Sequence, residues 1–149
     1  GMLSKRLVSD RLSWVEQMVQ EVRALPLQSR AAFLADRRNV WVAESCLRRA
    51  LEALLDLGRH ILAKGFAVGV SEYKEIATGL GDRGVLSGEE ADLLRVLAGY
   101  RNRLVHFYHE VGSEELYEVC ALRLADLERI AEAYRRWLKA LPERLDETL

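Results

Sequence analysis

Tyr100-Arg101-Asn102-Arg103-Leu104-Val105-His106-Phe107-Tyr108 places four groups able to work on a phosphate within nine residues of an otherwise ordinary helical chain. Leu93, Leu97, Tyr100 and Leu104 recur at helical spacing ahead of and through it, so the stretch rides on the last turns of an amphipathic helix. At about 100° per residue, Asn102 and His106 share one face, Arg101 and Tyr108 another. Arg101 sits on the flank of the apolar stripe, and His106 points to the opposite side. Two arrangements bring them together: the helix bends or ends near His106, or another surface, such as a second copy of the chain, completes the site.

The chemistry follows from the side chains. On a phosphodiester with a neighbouring hydroxyl, such as the ribose 2′-OH of RNA, the nucleophile already lies beside the phosphate it attacks. Cleavage then needs proton transfer and a cation for the growing negative charge, and no metal is obligatory. Histidine titrates at about 6.5 when unperturbed, so His106 can take or give a proton near neutral pH. The forked, always-charged guanidinium of Arg101 can hold two phosphate oxygens in the transition state. Asn102 could orient the imidazole or bind the phosphate through its amide, and Arg103 adds local charge for substrate binding. Taken singly, His106 reads as a helix-end cap or surface residue and Arg101 as a salt-bridge partner. Taken in this order, together with Asn102 and Tyr108, they read as a site.

Arg101, four residues, His106, one residue and Tyr108, with Asn102 directly after the arginine, resembles the Arg-x4-His-x-Tyr motif of the HepT-like ribonuclease toxins in the HEPN superfamily. Leu47 to Ile61, with Glu52, Asp56 and His60, is similar to that family's long second helix, and Val111 to Leu138, with Tyr117, Asp126 and Leu127, to its last. Roughly two-thirds of the chain is covered. The resemblance implies a homodimeric all-α endoribonuclease that needs no metal or other cofactor and is silenced by a nucleotidyltransferase antitoxin, which attaches AMP to Tyr108. Two copies of His106 across a dimer could then supply one base and one acid, with one His and a water as the simpler rival. The alternative is a non-catalytic helical partner that binds nucleotide or a nucleotidyltransferase, since bundles of this superfamily also serve in that role.

Composition sets wider limits. With 149 residues, half of them hydrophobic, the chain is expected to form one domain with a substantial core. Gly1, ahead of Met2, is read as a cloning remnant and kept out of the fold argument. No apolar run has the length of a membrane span and no signal-peptide pattern opens the chain, so a cytoplasmic protein is expected. Cys46 and Cys120 fit reduced thiols, and with three scattered histidines they give no metal-ligand spacing. A formal net charge of −1 argues against coating nucleic acid by bulk electrostatics: RNA contact must rely on a local patch, and no DNA binding is expected.

In chain order, Leu3 to Leu25 repeats Val8, Leu12, Val15, Val19 and Val22 as an amphipathic helix stopped at Pro26. A connection follows, with one short turn around Ala31 to Leu34 capped by Ser29. A long helix is predicted from Asn39 to Lys64, ending at Gly65, with Ala43, Leu47, Leu51, Leu54, Gly58 and Ile61 buried. Its other side carries Arg48, Glu52, Asp56 and His60 at steps of four. This ladder reads either as a solvated face or as a surface presented to a second subunit, where carboxylates would orient Arg101. Phe66 to Val70 is loop. Ser71 caps a short helix through Leu80, Ser87 and Glu90 form a capping box for the motif helix, Ala91 to Phe107, and Ser113 caps one last helix halted at Pro142. Trp14, Trp41 and Trp137 are assigned to core or interface. Four main helices with short connections give an up-and-down four-helix bundle with one or two additional short helices.

Overall fold

The computed structural model describes residues 3–106, 111–140 and 145–146, the last pair by backbone alone. Seven helices account for about four-fifths of them: α1 (Lys5–Arg23), α2 (Arg30–Ala35), α3 (Arg37–Phe66), α4 (Tyr73–Asp82), α5 (Gly88–Leu104), α6 (Ser113–Leu122) and α7 (Leu124–Ala140). The two-residue strands β1 (Leu3–Ser4) and β2 (Leu145–Asp146) pair in parallel, Leu3 with Leu145. The fold is an all-α helical bundle.

Three helices here are short rather than one or two, because the predicted last helix is two. It breaks at Arg123, whose N–H donates to Val119 O, before α7 resumes at Leu124. Both halves keep one apolar stripe, and Leu116, Cys120, Leu127, Ile130, Tyr134 and Leu138 are all buried. Helix α3 also overruns its expected ends. Asp36 caps it by accepting from the Arg38 N–H, and it passes through Gly65 to stop at Ala67 in the left-handed conformation (φ 56°), whose N–H closes onto Leu62 O. The cap of α4 is Glu72, not Ser71, and its side chain makes no capping bond.

At about 1.5 Å per residue the 30 residues of α3 span some 45 Å, and every other long helix packs on it. Its predicted stripe is buried throughout. Gly58 is the point of closest approach: a Cβ there would lie 2.7 Å from Tyr134 Oη and 2.9 Å from both Ile76 Cγ2 and Leu80 Cδ1. Tyr134, fully buried, donates its hydroxyl to Leu54 O one turn away (3.1 Å). Helices α4 and α7 therefore meet α3 at a single notch.

The start of α5 is fixed twice. Ser87 Oγ accepts from the Glu90 N–H and Glu90 Oε1 accepts from the Ser87 N–H, the expected capping box. Glu90 is also paired with Arg136 of α7 (2.9 Å). Burial works to raise the Glu90 pKa, but the Ser87 N–H and Arg136 outweigh it and hold the carboxyl below its usual value.

Filling the notch should be costly. Gly58→Val is expected to lower unfolding free energy by about 1–3 kcal/mol through overpacking, read as a fall in the urea midpoint with an unchanged slope.

Candidate functional site

The motif helix stops sooner than its periodicity predicts. Leu104 is its last residue, Val105 is the cap, and the His106 N–H donates to Arg103 O (3.0 Å). The helix therefore ends near His106, one of the two arrangements open to the sequence. Asn102 and His106 are exposed beyond and beside that end, whereas the Arg101 side chain is only 26% exposed. Tyr108, with Phe107 and His109, lies outside the described residues, as do Leu141 and Pro142.

Arg101 is held from within its own chain. Its Nε lies 3.5 Å from Glu52 Oε1, close enough for an ion pair but without hydrogen-bond alignment, so Nε is buried and makes no hydrogen bond. The same Glu52 oxygen accepts from Arg48 Nη1 (3.3 Å), and Arg48 Nε donates to Glu44 Oε1 (2.9 Å). Charges thus alternate from Glu44 through Arg48 and Glu52 to Arg101. On its other side the guanidinium carbon of Arg101 sits 4.8 Å from the centroid of the Tyr73 ring, within cation–π range. One of the two readings of the ladder put the carboxylates that orient Arg101 on a second subunit. Instead, α5 packs along α3, so Arg101, on the flank of its own stripe, meets the flank of α3.

The four-step ladder divides in the structure. Arg48 and Glu52 pair as the spacing predicts. Asp56 turns to Arg59 (2.9 Å) and accepts from the Tyr73 hydroxyl (3.5 Å). His60 lines a different recess of about 290 Å³ with Leu7, Arg11, Asp56 and Arg59, its Nε2 buried without a hydrogen bond. Burial first, then the nearby Lys64 and Arg11 charges, lower the His60 pKa. Arg103 is paired with Glu115 of α6 (2.6 Å), which offsets the charge the sequence assigned to substrate.

A cleft of about 350 Å³ opens beside Arg101, walled by Arg59, Ser71, Glu72, Tyr73, Lys74 and Asn102. Tyr73, Arg59 and Lys74 were not singled out from the sequence. The available signal was Tyr73's place three residues before Ile76 and seven before Leu80, on the buried stripe of α4. Trp137 packs on Phe66, ring centroids 5.8 Å apart, but Trp14 and Trp41 are 37% and 53% exposed and do not belong to the core. Cys46 and Cys120 are both free thiols, and burial pushes the Cys120 pKa to about 12. Among the described residues no group of three or more His, Cys, Asp or Glu side chains is placed to hold a metal ion, and no helix is long and apolar enough to cross a membrane.

Residues 15–134 match the family described as Ribonuclease HepT-like. Among solved structures, the chain is similar to a tri-AMPylated HEPN toxin of Shewanella oneidensis in complex with an MNT antitoxin (TM-score 0.78, 18% identity, covering 87% of this chain and 97% of that one). A toxin–antitoxin with AMP-PNP gives a TM-score of 0.77 at 18% identity, covering 86% and 97%. YutE of Bacillus subtilis, a cytosolic protein of unknown function, gives 0.75 at 22%, covering 94% of each chain. Among curated proteins, none matches. The structural likenesses establish a shared fold.

The recess around His60 predicts an acid-side loss of stability. Its folded pKa lies below the unfolded value of about 6.5. The neutral form is therefore accommodated above 6.5, and as pH falls from there through the folded pKa the unfolded state binds the proton first. In His60→Gln the drop in urea midpoint over that window should shrink, and NMR of the wild type should show His60 titrating below the ordinary value of about 6.5.

Proposed function

The chain belongs to the HepT-like ribonuclease family, and from that premise we propose that it cuts RNA by attack of the ribose 2′-OH on the adjacent phosphate, without a metal. One observation carries the proposal: Arg101 is three-quarters buried between Glu52 and Tyr73 at the edge of a cleft, with Asn102 and His106 exposed at the helix end beside it. A guanidinium restrained before substrate arrives loses less freedom on meeting a phosphate and is oriented for the transition state. His106 carries the proton, and Asn102 orients the imidazole or the phosphate. Arg48 and Glu52 act as supports of Arg101. Asp56 supports Tyr73 and Arg59, and His60 stands apart from the cleft.

The working form we propose is a cytoplasmic homodimer in which the exposed His106 of each copy supplies the base or the acid. The restraint on Arg101 already lies within one chain, so the second copy is needed for proton transfer and not for positioning. The HEPN toxin of similar fold is AMPylated and bound to an MNT antitoxin. By analogy a nucleotidyltransferase antitoxin silences this chain by attaching AMP to Tyr108, seven residues after Arg101. Each added phosphate would compete with RNA for the guanidinium, and the base would block access.

Purified protein in EDTA should cleave RNA and leave cyclic phosphate ends. His106→Ala is expected to slow cleavage by about 10²–10⁴, and Arg101→Ala by a similar factor through lost charge stabilisation. Cleavage abolished by EDTA, or indifferent to His106→Ala, contradicts the mechanism. After co-expression with the nucleotidyltransferase, mass spectrometry should find AMP on Tyr108, and Tyr108→Phe should resist silencing while keeping most of its cleavage. Adducts confined to Tyr100 or Tyr117 would remove the switch and leave the nuclease assignment standing.

A further inference from the structure

Resting on the nuclease reading of Arg101, we propose that Tyr73 of α4 is a positioning residue for that arginine, its ring serving as the surface that sets how the guanidinium meets the scissile phosphate. Two guanidinium carbons lie against this one ring, Arg101 Cζ at 4.8 Å and Arg59 Cζ at 5.3 Å from the centroid. Their roles differ. Each nitrogen of Arg59 donates to a partner: Nη1 to Asp56 Oδ1 (2.9 Å), Nε to Val70 O (3.2 Å) and Nη2 to Ser71 O (3.0 Å). It ties the loop before α4 to α3 and pins the ring. Arg101, in contrast, has only the 3.5 Å approach of Glu52 among the described residues, and its buried Nε makes no hydrogen bond.

An arginine with one loosely aligned carboxylate retains rotation about its stem. The flat ring removes that freedom without consuming an N–H, which a second carboxylate would do. Those N–H groups are what a phosphate needs. Tyr73 is itself held: its hydroxyl reaches Asp56 Oδ1 at 3.5 Å, and Ile76, one turn on, is fully buried against Gly58. Burial and the Asp56 charge raise the phenol's pKa, so the hydroxyl stays protonated and able to donate at neutral pH. Asp56 and Glu52 together balance the two guanidinium charges that share the ring. The same ring forms a wall of the cleft beside Arg101 and Asn102, which places the aromatic surface where substrate approaches.

The test compares Tyr73→Leu, Tyr73→Phe, Arg101→Ala and Tyr73→Leu/Arg101→Ala in RNA cleavage, with KM and kcat separated. Tyr73→Leu should lower kcat roughly tenfold with KM little changed, the scale of one cation–π contact expressed in a transition state. Tyr73→Phe should retain most of the rate because the ring remains. In the Arg101→Ala background Tyr73→Leu should cost nothing further, a result that a general loss of packing would not give. Independently, the side-chain protons of Arg101 in the wild-type protein should resonate upfield through the ring current of Tyr73. If Tyr73→Leu unfolds, Tyr73→Met replaces it in the cycle. Active wild type with an equally active Tyr73→Leu, additive losses in the double variant, or no upfield shift of Arg101 would each overturn the inference while leaving the nuclease reading intact. A wild-type protein that cleaves no RNA removes both.

Discussion

Gly58 is the constraint on which the arrangement of α4 and α7 depends. Without a Cβ at that point of α3, the Tyr134 hydroxyl and the side chains of Ile76 and Leu80 close to within normal contact of the backbone. Cores of native density do not absorb even one methylene freely, so a side chain here would have to displace α4 or α7. Displacing α4 would have consequences outside the core. Tyr73 lies one turn before Ile76 on the same helix face, and it is Tyr73 that touches Asp56, Arg59 and Arg101. The notch in the core and the wall of the cleft are two ends of one short helix.

The electrostatics of Arg101 follow from its depth. An arginine with three-quarters of its side-chain surface covered and its Nε buried has lost part of its hydration and needs an anion nearby. Glu52 supplies it, but shares the same oxygen with Arg48, which Glu44 in turn partly neutralises. Arg48 thereby draws on the charge of Glu52, and Arg101 is balanced without being bound up in a bidentate pair. A tighter pair would hold Arg101 better and leave less of it for an anionic substrate. The 3.5 Å separation, poorly aligned, is consistent with a residue held in place for another partner.

Much of this was legible in the sequence because helical periodicity reports burial directly. Every residue assigned to the stripe of α1, and every one assigned to α3, is buried, and the capping box at Ser87 and Glu90 forms as its spacing requires. What failed has local causes. The break at Arg123 is invisible to periodicity, since Cys120 and Leu127 stay on one stripe whether or not the helix is continuous between them. The α3 terminus passed Gly65 because a glycine is tolerated inside a helix whose neighbour Phe66 packs on Trp137, and the left-handed stop fell to Ala67. Trp14 and Trp41, assigned to core or interface, lie just off the stripes and outside the core.

The site was half legible, and the division is instructive. Arg101, Asn102 and His106 are close in sequence, so their spacing carried the resemblance to the HepT-like family. Tyr73 approaches the Arg101 guanidinium from α4, and Arg59 of α3 meets the same ring, and no spacing within the motif encodes either. The ladder on α3 was visible as a pattern, but its destination was not. A row of charges at steps of four constrains what each can meet along its own helix and says nothing about which neighbour lies beside it. Only the packing of α5 against α3 turns Glu52 toward Arg101 within one chain. Under the proposed mechanism that separation assigns the positioning of Arg101 to the packing of α5 on α3 and leaves the exposed His106, past the helix end, for a surface outside the chain.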